Sequence, residues 1–397
     1  MRLLLLFWCA WAAFAQQTTP EILKSLSAIS GFAVLKPVDQ QTMARDQLKG
    51  YFEERIKEVV KPEEIRIEEL GLKKMGFAPK GFDLKKTTID LMAEQAAAFY
   101  DYRKKKMVLL AGQGDGMQEM ALVHELAHAL ADQHFQLEKY LKKAGSSDDG
   151  SLARMAVMEG QATWLMSELM AQKMGQSLIK NDSMVDMMAR MASSGGSGFP
   201  IFQSVPLYMR ESLVFPYGAG MRFQHKVTAK MGKDGFAEVF RRPPGTTQEI
   251  LHPEKYLAKS KAELVKAPDL ARPAEWKELA TGTSGEFDHM ILLRQYAKDV
   301  EPVAESWRGG VYRLWESKKD KSRAVLGYAS VWDTEESAKK FFQAYEDVLK
   351  KKFAKCEFTE KTATKMTGKT EEGWFVARLE GRRCSSLEGV ADLSEAK

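Results

Sequence analysis

Ala121-Leu-Val-His-Glu-Leu-Ala-His-Ala-Leu130 decides how the chain is read. It sets His124 and His128 four residues apart with Glu125 directly after the first. In a helix, positions i and i+4 lie one above the other on one face, so both imidazoles reach a common point. Glu125 sits about 100° round that helix, where it can address a metal-bound water without being a ligand. Met120, Val123, Ala127 and Leu130 make one apolar stripe, which Leu122, Leu126 and Ala129 widen; no Pro or Gly interrupts it. A helix apolar on most of its surface is a buried helix. Two incidental histidines in a core helix are the bland alternative. Stacked imidazoles and a carboxylate in apolar surroundings need polar partners, and a metal ion supplies them at one stroke. His-Glu-x-x-His gives a hydrolytic zinc two ligands and a base, leaving a third ligand to be found.

Upstream, Met1 to Ala15 has the layout of a secretory signal peptide. Arg2 is the charged start, Leu3–Trp11 the apolar run, and Ala13-Phe14-Ala15 a small-x-small cleavage site. The run is too short to stay in a bilayer as a spanning helix, and no later stretch is apolar for long enough. The expectation is an exported, soluble protein without a transmembrane segment. Loss of Arg2 takes the formal charge from +5 to +4, close to balance for 59 basic and 54 acidic residues. The basic residues are scattered, Arg103-Lys-Lys-Lys106 has the look of a solvated turn, and no nucleic-acid motif is present. Export removes Cys9 and leaves Cys356 and Cys384, for which an oxidising compartment predicts a disulfide between neighbouring strands.

At 397 residues two domains are expected. Thr19-Pro20-Glu21 starts a helix that Gly31 ends, Asp39–Val60 is charged and amphipathic, and further helices are expected from Pro62 to Gly76 and from Asp83 to about Ala96. Ala98–Tyr102 and Met107–Ala111 form a hairpin around a polar turn. Its strands either cover the core or offer an edge to which an extended substrate adds. Gly112-Gln-Gly-Asp-Gly116 lacks the Lys of a phosphate loop and is a connector. A second apolar helix, Leu152–Met170, carries Glu159 at its middle. Methionines at 184, 187, 188 and 191 suit either adaptable core or a substrate-contacting lid. Phe215-Pro-Tyr-Gly-Ala-Gly220 leads into a helix bearing His225, and Thr246–Glu249 is a capping box. The divisions are a signal peptide over 1–15, a mainly helical domain with a small sheet over 16–266, a linker over 267–283, and a smaller α+β domain over 284–397. The fold class is α+β.

His124-Glu-Leu-Ala-His128 with Glu159-Gly-Gln-Ala162 resembles the gluzincin superfamily of zinc metallopeptidases. More narrowly, the run from His124 to Phe135, Phe99-Tyr-Asp101, Phe215-Pro-Tyr-Gly218 and Ile250-Leu-His-Pro-Glu-Lys-Tyr256 is similar to a group of exported bacterial proteins, over about residues 70–260. The resemblance implies a zincin-like fold, Zn2+ held by His124, His128 and Glu159, Glu125 as general base, and a peptide or protein substrate. Gln161 stands where that group carries Asp, which removes a carboxylate beside the ligand and not the ligand itself. Tyr217 and His225 are the candidates to stabilise an oxyanion. The alternative reading, from another class, is an exported binding or envelope-assembly protein with a structural or vestigial zinc site.

For the third ligand, His134 competes with Glu159. His124 to His134 matches the metzincin spacing except at Ala131, where a glycine would turn the chain back to the metal. Alanine favours continuing the helix, and six residues then leave His134 some 120° off the ligand face. Glu159 lies amid Met155, Ala156, Val157 and Met158, where a lone charge is costly and a cation relieves it. The expectation is Glu159.

Overall fold

The computed structural model describes residues 18–111, 115–145, 147–194, 198–297 and 300–396; the stretch read as a signal peptide lies outside them, as do residues 112–114 of the connector. The chain is α+β. It begins with α1 (Thr19–Ser30), whose Glu21 carboxylate accepts from Thr18 N–H and Oγ at 2.8 Å, and which Gly31 closes at φ 81°. The cap is Thr18, one residue earlier than the Pro signal suggests. Asp39–Val60 splits into β1 (Asp39–Met43) and α2 (Leu48–Val59). After these come α3 (Pro62–Met75), α4 (Leu84–Gln95) with Asp83 capping Lys86 N–H, and the hairpin β2 (Ala98–Asp101) and β3 (Lys106–Leu110). The order of this sheet is β1-β3-β2, with β1 parallel to β3 and β2 antiparallel to it, so β2 is an edge.

The core of the first part is three long helices. The first is α5 (Asp115–Phe135), followed by the short α6 (Leu137–Lys142) and then α7 (Asp148–Lys173). Next are α8 (Asp182–Ser194), α9 (Pro200–Ser204) and α10 (Leu207–Met231). Val123, Leu126 and Leu130 of α5, Val157, Trp164 and Leu165 of α7, and Met221 and Phe223 of α10 share one buried cluster. The Phe215–Gly220 motif lies inside α10 and does not precede it. Pro216 sits in mid-helix, where it has no N–H to donate to the carbonyl of Ser212. The layer ends with α11 (Asp234–Arg241), α12 (Thr247–Leu251) and α13 (Pro253–Leu257).

The second part is one antiparallel sheet with two helices. It contains β4 (Trp276–Thr283), α14 (Glu286–Tyr296), β5 (Trp307–Ser317), β6 (Ala324–Trp332) and α15 (Glu335–Lys352). It continues through β7 (Cys356–Lys361), β8 (Lys365–Thr370), β9 (Gly373–Glu380) and β10 (Arg383–Val390), in the order β4-β5-β6-β10-β9-β8-β7. Phe341, Tyr345 and Val348 of α15 pack with Leu326, Phe375 and Cys384 of the sheet. Two expectations change here. The segment taken as linker contains β4, an edge strand of this sheet. The disulfide is not formed: Cys356 on β7 and Cys384 on β10 are three strands apart, about 14 Å at the usual strand spacing, and both are free thiols. Cys384 is buried and donates to Ala338 O at 3.3 Å.

The two parts meet through buried acids. Asp149, at the start of α7, accepts from Thr247 N–H and from Thr247 Oγ at 2.5 Å. Glu286, opening α14, accepts from Gln248 Nε2 and His252 Nε2, both at 2.7 Å, and Asp288 accepts from Tyr208 Oη at 2.9 Å. The polar residues between Thr247 and His252 thus tie α7 to α14. Burial, helped by the Asp288 and Glu286 charges, pushes Asp149 up to about 8, while bonds from Thr247 oppose it. The folded value exceeds the unfolded one, so the fold is favoured in acid and this contribution is lost as pH rises through about 8. Denaturant midpoints measured from about pH 5 to 9 should fall more steeply in the parent than in Asp149→Asn, the two converging in acid. Parallel curves would count against the seam as described.

Candidate metal centre

α5 and α7 cross so that His124, His128 and Glu159 face each other. His124 Nε2 and His128 Nε2 are 3.1 Å apart, and Glu159 Oε2 is 3.0 Å from the first and 3.1 Å from the second. Donor atoms around a tetrahedral zinc with bonds of 2.0–2.1 Å stand about 3.3 Å apart, so a small expansion seats the ion. Without a cation this triangle is unsatisfactory, because two imidazole nitrogens confront each other across one carboxylate oxygen in a buried place. His128 and Glu159 are buried; the side chain of His124 is 12% exposed. No other group of three or more metal-binding side chains converges among the described residues, and this one has three members. Three protein ligands leave zinc a fourth position. The residues fit the metal.

The close approach of the helices around Glu159 has a visible cause. A Cβ at Gly160 would lie 2.1 Å from the carbonyl carbon of Gly220, and one at Gly220 would lie 2.0 Å from Ala156 O. Only glycine allows α7 and α10 to touch backbone to backbone here. That contact seats Tyr217 over the centre, its ring stacked on His124 at 5.8 Å and 28°. The Glu159 charge and burial hold the Tyr217 hydroxyl well above the usual phenol range, with Glu125 adding to the effect.

Glu125 points to the other wall. Its Oε2 accepts from Tyr100 N–H at 2.8 Å, so the edge of β2 turns toward α5. Burial raises Glu125 to about 7, with Glu159 adding and His124 and the Tyr100 amide opposing. Burial also opposes ionisation of Glu159, yet His128 and His124 bring it far below the carboxylate range. Tyr102, next along from β2, meets His128 edge-on at 6.3 Å and feels both Glu159 and Glu125. The sequence offered no signal for Tyr102 beyond its place in a hairpin before α5. Asp132 locks that hairpin to α5, accepting from Tyr100 Oη at 3.0 Å and Lys105 Nζ at 2.6 Å.

Other candidates lie elsewhere. α5 runs unbroken through Ala131, and His134 Nε2 bonds Ala33 O at 2.8 Å. His225 stands eight residues beyond Tyr217, about 12 Å along α10. Its ring is engaged on both sides, Nδ1 accepting from Trp164 Nε1 and Nε2 donating to Asp182 Oδ1 at 2.8 Å. It is a packing residue, and Tyr217 alone of the two faces the ligands. Gln161 donates to Gln224 Oε1 and Phe236 O, away from the ligands. The methionines of α8 divide: Met184 and Met188 pack on the core, while Met187 and Met191 are exposed.

Residues 272–396 match a family model described as a domain of unknown function (DUF8575), which covers the seven-stranded sheet and not the metal centre. No curated protein and no solved structure matches the chain. No helix among the described residues is long and apolar enough to cross a membrane.

Metal content measured by mass spectrometry should be one zinc per chain in the parent and in His134→Ala, and close to none in Glu159→Ala. Retention in Glu159→Ala with loss in His134→Ala would reverse the ligand assignment.

Proposed function

We propose that the protein is an exported zinc metallopeptidase of the gluzincin type, cutting peptide bonds in extended chains. The observation that carries this reading is the His124–His128–Glu159 triangle with Glu125 beside it and the edge of β2 alongside. A bound zinc would supply Lewis acidity and lower the pKa of a water at the open position. Glu125, one residue from a ligand and tethered by the Tyr100 amide, takes the proton of the attacking water and returns it to the leaving nitrogen. Its burial among apolar side chains keeps its proton affinity near neutrality, as a base that must later act as an acid requires. The Tyr217 hydroxyl, held protonated over His124, donates to the oxyanion that develops on the scissile carbonyl. The outward side of β2 offers backbone groups to an extended peptide, which fixes its direction across the ligands.

The second reading, an exported binding or assembly factor with a structural zinc, draws support from the low exposure of the three ligands. Structural zinc ordinarily closes its shell with four protein ligands, and this group has three. Activity toward a denatured peptide library separates the two. Glu125→Gln should keep its zinc and lose about 10²–10⁴ in hydrolysis rate. Equal turnover by Glu125→Gln and the parent would sink the enzyme reading. Tyr217→Phe, also with zinc retained, should lower kcat by about 10²–10³ and leave KM nearly unchanged; a pure KM effect would remove Tyr217 from the oxyanion role.

A further inference from the structure

One backbone donor beside the ligands is claimed by a side chain although its place suits a bound polypeptide. In the antiparallel pair of β2 with β3, Phe99 stands opposite Val108 and Tyr100 opposite Met107. A residue's N–H and C=O leave a strand of such a pair on the same side, and successive residues alternate. Tyr100 N–H is turned away from β3, so the backbone groups of Ala98 and Tyr100 together make the outward side of this edge. Ala98, Phe99 and Glu125 are each only half-buried, so solvent reaches this side. Yet Tyr100 N–H is already engaged, donating to Glu125 Oε2 at 2.8 Å.

The strand is pinned at both ends. Asp101 Oδ2 accepts from Tyr51 Oη at 2.7 Å, and its Oδ1 accepts from the N–H groups of Arg103 and Lys104 at 3.0 and 3.1 Å. At the other end Ala97 O accepts from Leu110 N–H at 3.1 Å, and between them the Tyr100 ring is anchored through its hydroxyl to Asp132. Glu125, by contrast, reaches the strand on a side chain with three rotatable bonds. An extended chain that adds to β2 needs Tyr100 N–H for one of its own carbonyls. That oxygen must stand about 2.9 Å from the nitrogen, which is where Glu125 Oε2 now stands, and an amide has one hydrogen to give. The two acceptors exclude each other. We propose that Tyr100 N–H is a latch, parking Glu125 against β2 in the free protein until an extended, unfolded polypeptide takes the donor and releases the carboxylate. Substrate binding thereby frees the base, and a folded surface, which cannot add a strand, leaves it parked. What the freed carboxylate does next rests on the peptidase reading; the exchange of acceptors does not.

The test compares the full mature chain, zinc-loaded, as parent, Glu125→Gln and Glu125→Ala. Glutamine keeps an acceptor in place, alanine removes it, and neither is charged, so the two variants separate the latch from the charge. Hydrogen exchange in protein labelled with 15N-tyrosine reads the donor itself. Tyr100 N–H should exchange at least about tenfold faster in Glu125→Ala than in the parent, and adding casein, an unfolded polypeptide, should restore its protection. The other tyrosine amides should keep the parent's rates, which shows that the fold is intact. In anisotropy titrations fluorescein-labelled casein should bind Glu125→Ala about five- to tenfold more tightly than Glu125→Gln, because in the alanine variant it displaces nothing. If the zinc-loaded parent hydrolyses no peptide while both readouts appear, the latch stands and only the peptidase reading falls. Equal exchange at Tyr100 in parent and Glu125→Ala, no renewed protection with casein, or casein binding that is absent or equal in the two variants overturns the proposal.

Discussion

The contact of Gly160 with Gly220 is the constraint on which the rest hangs. Two helices of 26 and 25 residues are brought backbone to backbone at one point. The residue before one glycine is Glu159, and three residues before the other is Tyr217. Side-chain packing alone keeps helix axes about 8–10 Å apart. Closer approach brings a carboxylate from one helix and a phenol from its neighbour to the imidazoles of a third. The apolar cluster around Trp164 and Phe223 then keeps this crossing from sliding. An alanine at either glycine would force the helices apart before any ligand was touched.

Charge explains what packing does not. Glu125, Glu159 and Tyr217 lie within reach of one another's charges, and their proton affinities are driven apart. Glu159 is paired with two imidazoles and stays ionised; Glu125 has a single backbone amide and sits near neutrality. Two carboxylates in one buried place thereby differ in proton affinity through their neighbours, which suits the proposed roles of ligand and base. The seam around Asp149 shows the same physics without a site. There the carboxyl groups are bonded by Thr247, Gln248 and Tyr208, and they serve to join α7 to the sheet-bearing part.

Much of this was legible in the sequence. His124, Glu125 and His128 stand out by spacing and Glu159 as a carboxylate amid Met155–Met158, and the structure brings His124, His128 and Glu159 together; α5 continues through Ala131, as expected, and His134 bonds Ala33 O instead. What was hidden is tertiary. Asp39-Gln-Gln-Thr-Met43 has no apolar alternation, and it is a strand because β3 pairs with it. Trp276–Thr283 carries Lys, Glu, Thr and Gly like a linker, and it becomes an edge strand through β5. Pro216 disguises the middle of α10 as a helix start. Cysteine count cannot reveal strand order, and β8 and β9 stand between the strands that carry Cys356 and Cys384. Tyr102 is set by the hairpin's register, which no local pattern announces.

The central claim is that the triangle on α5 and α7 is an open, three-ligand zinc centre. Diffraction from crystals of the zinc-loaded chain, recorded on either side of the zinc absorption edge, addresses it most directly. The account predicts one anomalous peak per chain, about 2.0–2.2 Å from His124 Nε2, His128 Nε2 and a Glu159 oxygen, with solvent as the fourth ligand and Glu125 beside that solvent. A peak elsewhere, a fourth protein ligand in place of solvent, or no peak at full zinc loading would contradict it.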